Sequence, residues 1–354
     1  MFKQSNQNSF FGHFLYDQIV PASHFLRNVS ETVDFSFINE LCLDRYENLG
    51  QPGNRPYEPA MLFKILFLSF LYDISGREME EQINDRLSFK WFLNLAVTDA
   101  APDHSTLTCF VERLGVEKFE AIFNHVVEQA NAKGLVHERL KIIDSTAIRA
   151  KVDVARIVRQ REPDNKANER TNSSSGKRDH YIDAKSPDPD ARFGRKSDTR
   201  QFYGYKQHLI IDGDSEIIEA VAMTSGNVKD EQVVEPLLMN AKLSKDRRKK
   251  TTVLADKGYD INDNHELIEE RYHAQSFIMV KKNRTVAALV KRMKSAVYRR
   301  ITKERYKVER RFADSKSNHG LATCRWIGKW KTEIQSYLTA FILNCKRIIV
   351  LTAT

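Results

Sequence analysis

Apolar residues recur every three or four positions through about the first 138 residues, and after Gly134 the pattern changes to short unbroken apolar runs. The first pattern predicts helices. The stretch "EPAMLFKILFLSFLYDISGREMEEQINDRLSFKWFLNL" follows Pro56 and Pro59 with good helix formers, breaks near Ser75-Gly76, and resumes with amphipathic spacing. A further start signal lies in "PDHSTLTCFVERLG", where Asp103 or Ser105 can cap a helix that stops near Gly115. Spacing of this kind suits a helix-turn-helix module that reads DNA as well as it suits plain bundle packing, and periodicity leaves both open.

Beyond Gly134 the runs predict strands. "LKIIDSTAI" (140–148) carries an apolar β-branched run to Asp144, and "TTVLADKGYD" (251–260) carries another to Asp256. Between them "YKQHLIIDGDSEIIEAVAM" (205–223) reads as a hairpin about an Asp-Gly turn, and "QSFIMVKK" (275–282) closes the set. Helical patterns at 230–243 and 263–273 separate the later strands. This is an α/β layout in which the runs ending at Asp144 and Asp256 can be parallel neighbours. Residues 154–202 are rich in Ser, Asn, Asp, Pro and basic residues and poor in apolar ones, so a flexible basic insertion is expected there.

Charge sharpens the picture. The 354 residues carry a net charge of +9, yet between Lys281 and Trp330 sixteen Lys or Arg face only Glu304, Glu309 and Asp314. That stretch nets +13 and leaves the rest of the chain at −4, so the positive charge is local, as a polyanion-binding surface requires. Cys42, Cys109, Cys324 and Cys345 are scattered, which argues against structural zinc and a disulfide scaffold and fits a reducing cytoplasm. The N-terminus lacks the features of a secretion signal, and "MLFKILFLSFLY" (61–72) is about half a bilayer span and contains Lys64. No membrane role is expected.

Carboxylates offer the candidate chemistry. Asp144 and Asp256 each follow an apolar strand, where open α/β sheets place reactive groups, although an aspartate there is more often a turn former. Asp212 and Asp214, in "DGDS", read as turn residues of this ordinary kind. Glu309 stands in the cationic "KERYKVERRFADSK" (303–316), and on a helix Arg305, Phe312 and Lys316 lie within about 60° of it. Arg305 and Lys316 can then hold phosphates while Glu309 joins Asp144 and Asp256 around metal. Carboxylate ligands beside a polyanion favour Mg²⁺ or Mn²⁺ over zinc, and two ions about 4 Å apart would suit in-line phosphoryl transfer.

Taken together, "IIDSTAI", "YGYKQHLIIDGDSEIIEAVAMTSGNVKDEQVVEPLL", "VLADKGYD" and the spacing Arg305-x3-Glu309-x6-Lys316 resemble the DDE transposases of bacterial insertion sequences. "SPDPDARFGRKS" followed by "YGYK" resembles the segment before the second catalytic strand in one branch of them, and the N-terminal helical motifs resemble their preceding domain. The resemblance covers nearly the whole chain. It implies an RNase H-like catalytic domain in which Asp144, Asp256 and Glu309 bind metal, with Arg305 and Lys316 on DNA near the cut. One departure is Thr302, where the related signature has tyrosine; Tyr298, one helical turn earlier, is the candidate substitute.

Other positions are less specific. Lys257 and Tyr259 flank the second aspartate and can meet phosphate, and Arg310 and Arg311 of the cationic stretch are further DNA-contact candidates. His208 and His319 have no ligand-spaced partner and read as packing or surface residues. Trp326 and Trp330 suit packing against the apolar "IQSYLTAFILNCKRII" (334–349) better than base stacking.

The expected protein has a helical domain over 1–138 that binds DNA ends and an RNase H-like DDE domain over 139–354. Its expected partners are double-stranded DNA, as terminal inverted repeats and target, and further copies of itself in a dimer or larger complex. Cleavage at the element's ends and 3′-hydroxyl strand transfer would take place on nucleoid DNA in the cytoplasm. A metal-dependent nuclease without strand transfer and a non-catalytic DNA-binding derivative are the rival readings.

Overall fold

The computed structural model describes residues 2–3, 10–46, 55–160, 174–197, 200–281 and 286–353. The chain divides into two compact units, residues 1–136 with 337–354, and residues 137–336.

In the first unit helices follow one another as α1 (Phe10–Ile19), α2 (Phe25–Thr32), α3 (Phe37–Leu41), α4 (Pro59–Leu71), α5 (Gly76–Asp85), α6 (Leu87–Phe92) and α7 (His104–Ala132). The start signals work as the sequence suggests. Pro59 opens α4, the Ser75 hydroxyl caps α5 by accepting from the Glu78 amide at 3.2 Å, and Asp103 caps α7 through the Ser105 amide at 2.7 Å. Gly115 ends the first part of α7 as expected: at φ 61° and ψ −179° it leaves the helical region, and a second helical part continues from there to Ala132. Eleven of the thirteen residues of α4 are buried, so α4 has no free face to enter a DNA groove.

The second unit holds β1 (Leu140–Arg149), α8 (Val154–Arg159), α9 (Ser174–Lys185), β2 (Arg192–Ser197), β3 (Arg200–Asp212), β4 (Ile218–Ser225), α10 (Val234–Asn240), β5 (Thr252–Ala255), α11 (Asn262–Glu266) and β6 (Gln275–Ile278). It continues with α12 (Ala287–Met293), α13 (Ala296–Lys303), α14 (Tyr306–Asn318) and the start of α15 (Lys329–Thr352). β3 lies antiparallel between β1 and β4, while β5 runs parallel to β1, and β6 parallel to β5. This is the RNase H-like arrangement, an antiparallel meander extended by parallel strands that need helical crossovers. Val234, Leu237 and Leu238 of α10 pack on Ile143, Ile210, Val253 and Ala255 of the sheet to form its core.

Two expectations need correction. Residues 161–173 and 198–199 of the expected flexible insertion lie outside the described residues, but the rest of it is ordered. Its few apolar side chains carry that order: Ile157 of α8, Ile182 of α9 and Ala191 are buried with Ile148, Tyr205 and Leu321. The adjoining strand β2 adds to the sheet on the first part of β3. Gly204 is required there, since a Cβ would sit 2.2 Å from the Ile148 carbonyl oxygen.

The second correction concerns 139–354, expected to be one domain. Residues Tyr337–Thr354 belong instead with the N-terminal helices. Phe341 explains this, because its ring meets those of Phe35, Phe63 and Phe67 at centroid distances of 5.7, 5.0 and 6.1 Å. Among the described residues α15 alone has the length and hydropathy of a membrane span, and 72% of that stretch is buried within the protein, as in a core helix. Phe341→Ala is expected to destabilise the protein by about 3–5 kcal/mol. The measurement is the urea unfolding midpoint; an unchanged midpoint would mean that this ring does not anchor the C-terminus.

Candidate active site

The parallel ladder of β1 and β5 ends at the pair Ile143 and Ala255. Asp144 and Asp256 are the next residues on each strand, so they leave the ladder side by side. Asp144 is not at the end of its own strand, as its sequence suggested, because β1 runs on to Arg149 beside β3. It is the shorter β5 that opens the space next to it. Asp256 turns the chain into a 3-10 turn over Lys257–Tyr259, accepting from the Lys257 amide at 2.7 Å, and Asp144 accepts from the Ser145 amide at 2.8 Å.

Glu309 reaches the same cleft from the first turn of α14, where the helix dipole favours a carboxylate. Arg305 stands just before α14 and binds all three acids. Its guanidinium lies 3.1 Å from Asp144 Oδ2, 3.2 Å from Asp256 Oδ1 and 3.0 Å from Glu309 Oε1. Three carboxylates from three elements therefore converge on one cation position. The set is all hard oxygen, the donor chemistry of a divalent-cation site.

Burial is uneven across the triad. Asp144 is only 7% exposed, and desolvation raises its pKa to about 6 against the opposing pull of Arg305, with Asp256 adding to the rise. The Glu309 side chain is 58% exposed. The cleft, about 390 Å³, is lined also by Ser145, Thr146, Arg195, Phe202, Lys206, Asp230 and Phe312.

Other expected site residues scatter. Lys316 donates to Thr146 Oγ1 at 2.5 Å, so it stands at the cleft's wall, and Lys257 is exposed beside Asp256. Arg310 and Arg311 are not brought to the cleft. One and two residues past Glu309 on α14, they turn away from it and pair with Glu216, which is 4% exposed in the β3–β4 turn.

The proposed substitution by Tyr298 also fails. The chain breaks between α13 and α14, so no continuous helix joins Tyr298 to Glu309. Tyr298 is buried, its ring 6.1 Å from that of Phe277 and its hydroxyl accepting from the Val280 amide at 3.3 Å. His208 is fully buried between Tyr259 Oη (3.3 Å) and Thr224 Oγ1 (2.9 Å), and burial lowers its pKa to about 4, which keeps it neutral.

Sequence reasoning passed over Asp230 and Lys206. Each stood inside a quoted motif, "GNVKDEQ" and "YGYK", but neither has a local pattern that distinguishes it from a surface charge. Among the described residues, two groups have ligand atoms close enough together to share one ion, Glu80/Asp103/His104 and His137/Asp212/Asp214, and the triad is not one of them. Both lie outside this cleft and are occupied with backbone amides: Glu80 accepts from His104, and Asp212 from His137, Asp214 and Ser215.

Residues 137–345 match the family described as Transposase DDE domain, and residues 14–113 match that described as Transposase domain (DUF772). The chain belongs to the DDE transposase family. A transposase for insertion sequence element IS1106, from Neisseria meningitidis serogroup B, is 33% identical over 159 residues, 45% of this chain and 51% of that protein. The chain thus spans about half the length of this curated relative. Two solved structures of Mos1 transposase, a paired-end complex with the left transposon end and a pre-cleavage transpososome, align at 10% identity with TM-scores of 0.20 and 0.21. They cover 76% and 86% of this DDE chain and 81% and 82% of their own, and at those scores carry no argument.

The raised Asp144 pKa gives a signed prediction for the metal-free protein. Below about pH 4 the group is protonated whether the chain is folded or not. As pH rises through 6 the unfolded chain loses this proton first, so the buried carboxylate progressively costs stability. Asp144→Asn should therefore raise Tm relative to the parent at pH 7, with the gain shrinking toward pH 4, by calorimetry in chelating buffer. A gain that grows toward pH 4 would contradict the assignment.

Proposed function

We propose that this protein is a DNA transposase that cleaves the ends of an insertion sequence and transfers the freed 3′-hydroxyl into target DNA. The observation that carries the reading is the convergence of Asp144, Asp256 and Glu309 on one cation position, the Arg305 guanidinium. In this reading the three carboxylates hold divalent metal, Mg²⁺ or Mn²⁺, as two ions. When bound, the metal supplies Lewis acidity and lowers the pKa of the attacking water or hydroxyl.

The chain's own residues do the remaining work. Asp144 and Asp256, fixed by the end of a sheet ladder, and Glu309, on an exposed helix turn, set the position of the scissile phosphate. Arg305, whose planar fork of donors matches a phosphate, would pair with the DNA backbone at the cut, with Lys316 and Lys257 as further cationic contacts. Catalysis then rests on positioning and electrostatics rather than on covalent chemistry by the protein. The assigned substrates are terminal inverted repeats and target DNA in the nucleoid, bound by a homodimer or larger complex because two ends must be joined. Residues 1–138 are assigned to holding the DNA end.

The test uses duplex oligonucleotides made from the DNA on either side of the gene, bearing any inverted repeats found there, with Mg²⁺. Asp144→Asn, Asp256→Asn and Glu309→Gln should each cut cleavage on the order of 100-fold or more, the scale of losing one transition-state stabiliser, while DNA binding persists. Full cleavage by any variant would remove that residue from the site. Joining of pre-cut ends by the parent protein separates transposition from simple nuclease action.

A further inference from the structure

The DDE cleft has a second charged assembly on the other face of β1. Side chains alternate along a strand, and Asp144 points to Arg305 of the metal side while Ser145 points to Asp230, its hydroxyl donating to Asp230 Oδ2 at 2.8 Å. The other carboxylate oxygen, Oδ1, accepts from Lys206 Nζ at 2.7 Å, and the same ammonium donates to the Val228 carbonyl at 2.8 Å. Lys206 comes from β3, opposite Ala147 of β1, so its stem is set by sheet register.

An ammonium has three N–H donors, and two of those of Lys206 are taken. Among the described residues the third has no partner, the side chain keeps 15% of its exposure, and the residue lines the same cleft as the triad. A pinned cation with one free donor in a cleft is a pre-organised anion contact, because its rotamer entropy is lost before any ligand arrives.

We propose that Lys206 contacts a phosphodiester of the DNA strand next to the scissile bond, and that Asp230 is the residue that positions it. The proposal rests on the transposase reading and adds to it a contact and its support. Ser145 joins the two halves of the site, since its backbone amide serves Asp144 while its hydroxyl serves Asp230. Ser145 thereby ties the Lys206–Asp230 pair to the triad within one cleft. The alternative is that Lys206 only neutralises Asp230, a structural ion pair with no part in binding.

The experiment measures DNA-end binding across a salt series, together with cleavage of the same duplex, for the full-length protein and for Lys206→Met, Lys206→Arg and Asp230→Asn. Removing one phosphate contact should make the slope of log Kobs against log salt shallower by about 0.9. Lys206→Met is expected to show that change and a cleavage loss of about 10-fold or more, whereas Lys206→Arg should keep the parent slope. Asp230→Asn should keep the slope but lose cleavage, since the cation remains and its aim is lost. A Lys206→Met protein that binds with the parent slope, or loses only thermal stability, overturns the proposal. Should Lys206→Met fail to fold, Asp230→Asn decides: lost cleavage at the parent slope and Tm supports a positioned contact, and full cleavage overturns the pairing. If the parent protein neither binds nor cleaves the ends, it is the transposase reading that falls.

Discussion

Four residue pairs of parallel ladder between β1 and β5 govern the candidate site, because the place where they stop is the place where the cleft opens. A parallel pair puts aligned residues on the same face, so the first residues beyond the ladder, Asp144 and Asp256, are delivered as a pair. β1 continues with β3 on its other side, which leaves Asp144 on a strand edge that is rigid yet open. Everything else in the cleft is built onto that edge: α14 brings Glu309 to one face, and the turn before α10 brings Asp230 to the other.

Electrostatics explains why such a site needs Arg305. Three carboxylates in one cleft repel one another, and the most buried, Asp144, already has a pKa raised to about 6 by desolvation. A single guanidinium, with donors on a planar fork, can satisfy all three at once where a lysine would meet them as a point charge. The same fork matches a phosphate. Lys206 and Asp230 form a second ion pair lining the same cleft, with the lysine set by sheet register.

Parts of this were legible in the sequence because their causes are local. The hairpin at Asp212–Asp214, the break at Ser75-Gly76, the cap at Asp103 and the strands leading to Asp144 and Asp256 follow from turn chemistry and periodicity. Other parts failed for one reason, that composition averages over residues while burial selects among them. The segment about 154–202 looks disordered by composition, yet in its described part Ile157, Ile182 and Ala191 are buried in a hydrophobic cluster. A cationic run suggests one surface, yet Arg310 and Arg311 serve Glu216 while Arg305 serves the cleft, a division set by 100° per residue about α14.

The sequence by itself determined the strand and helix menu, the family to which the chain belongs, and the local strand ends that single out Asp144 and Asp256 as candidates. Tertiary structure alone decided where β5 stops beside β1, which puts two aspartates in one cleft, and where the chain breaks before α14, which removes Tyr298 from it. It also decided that the last residues of α15 belong with the N-terminal helices, through Phe341 and its aromatic neighbours. The physical reason is the same in each case. Local rules act over three or four residues, whereas register, burial and the pairing of Lys206 with Asp230 join residues far apart in the chain, and no local pattern encodes those distances.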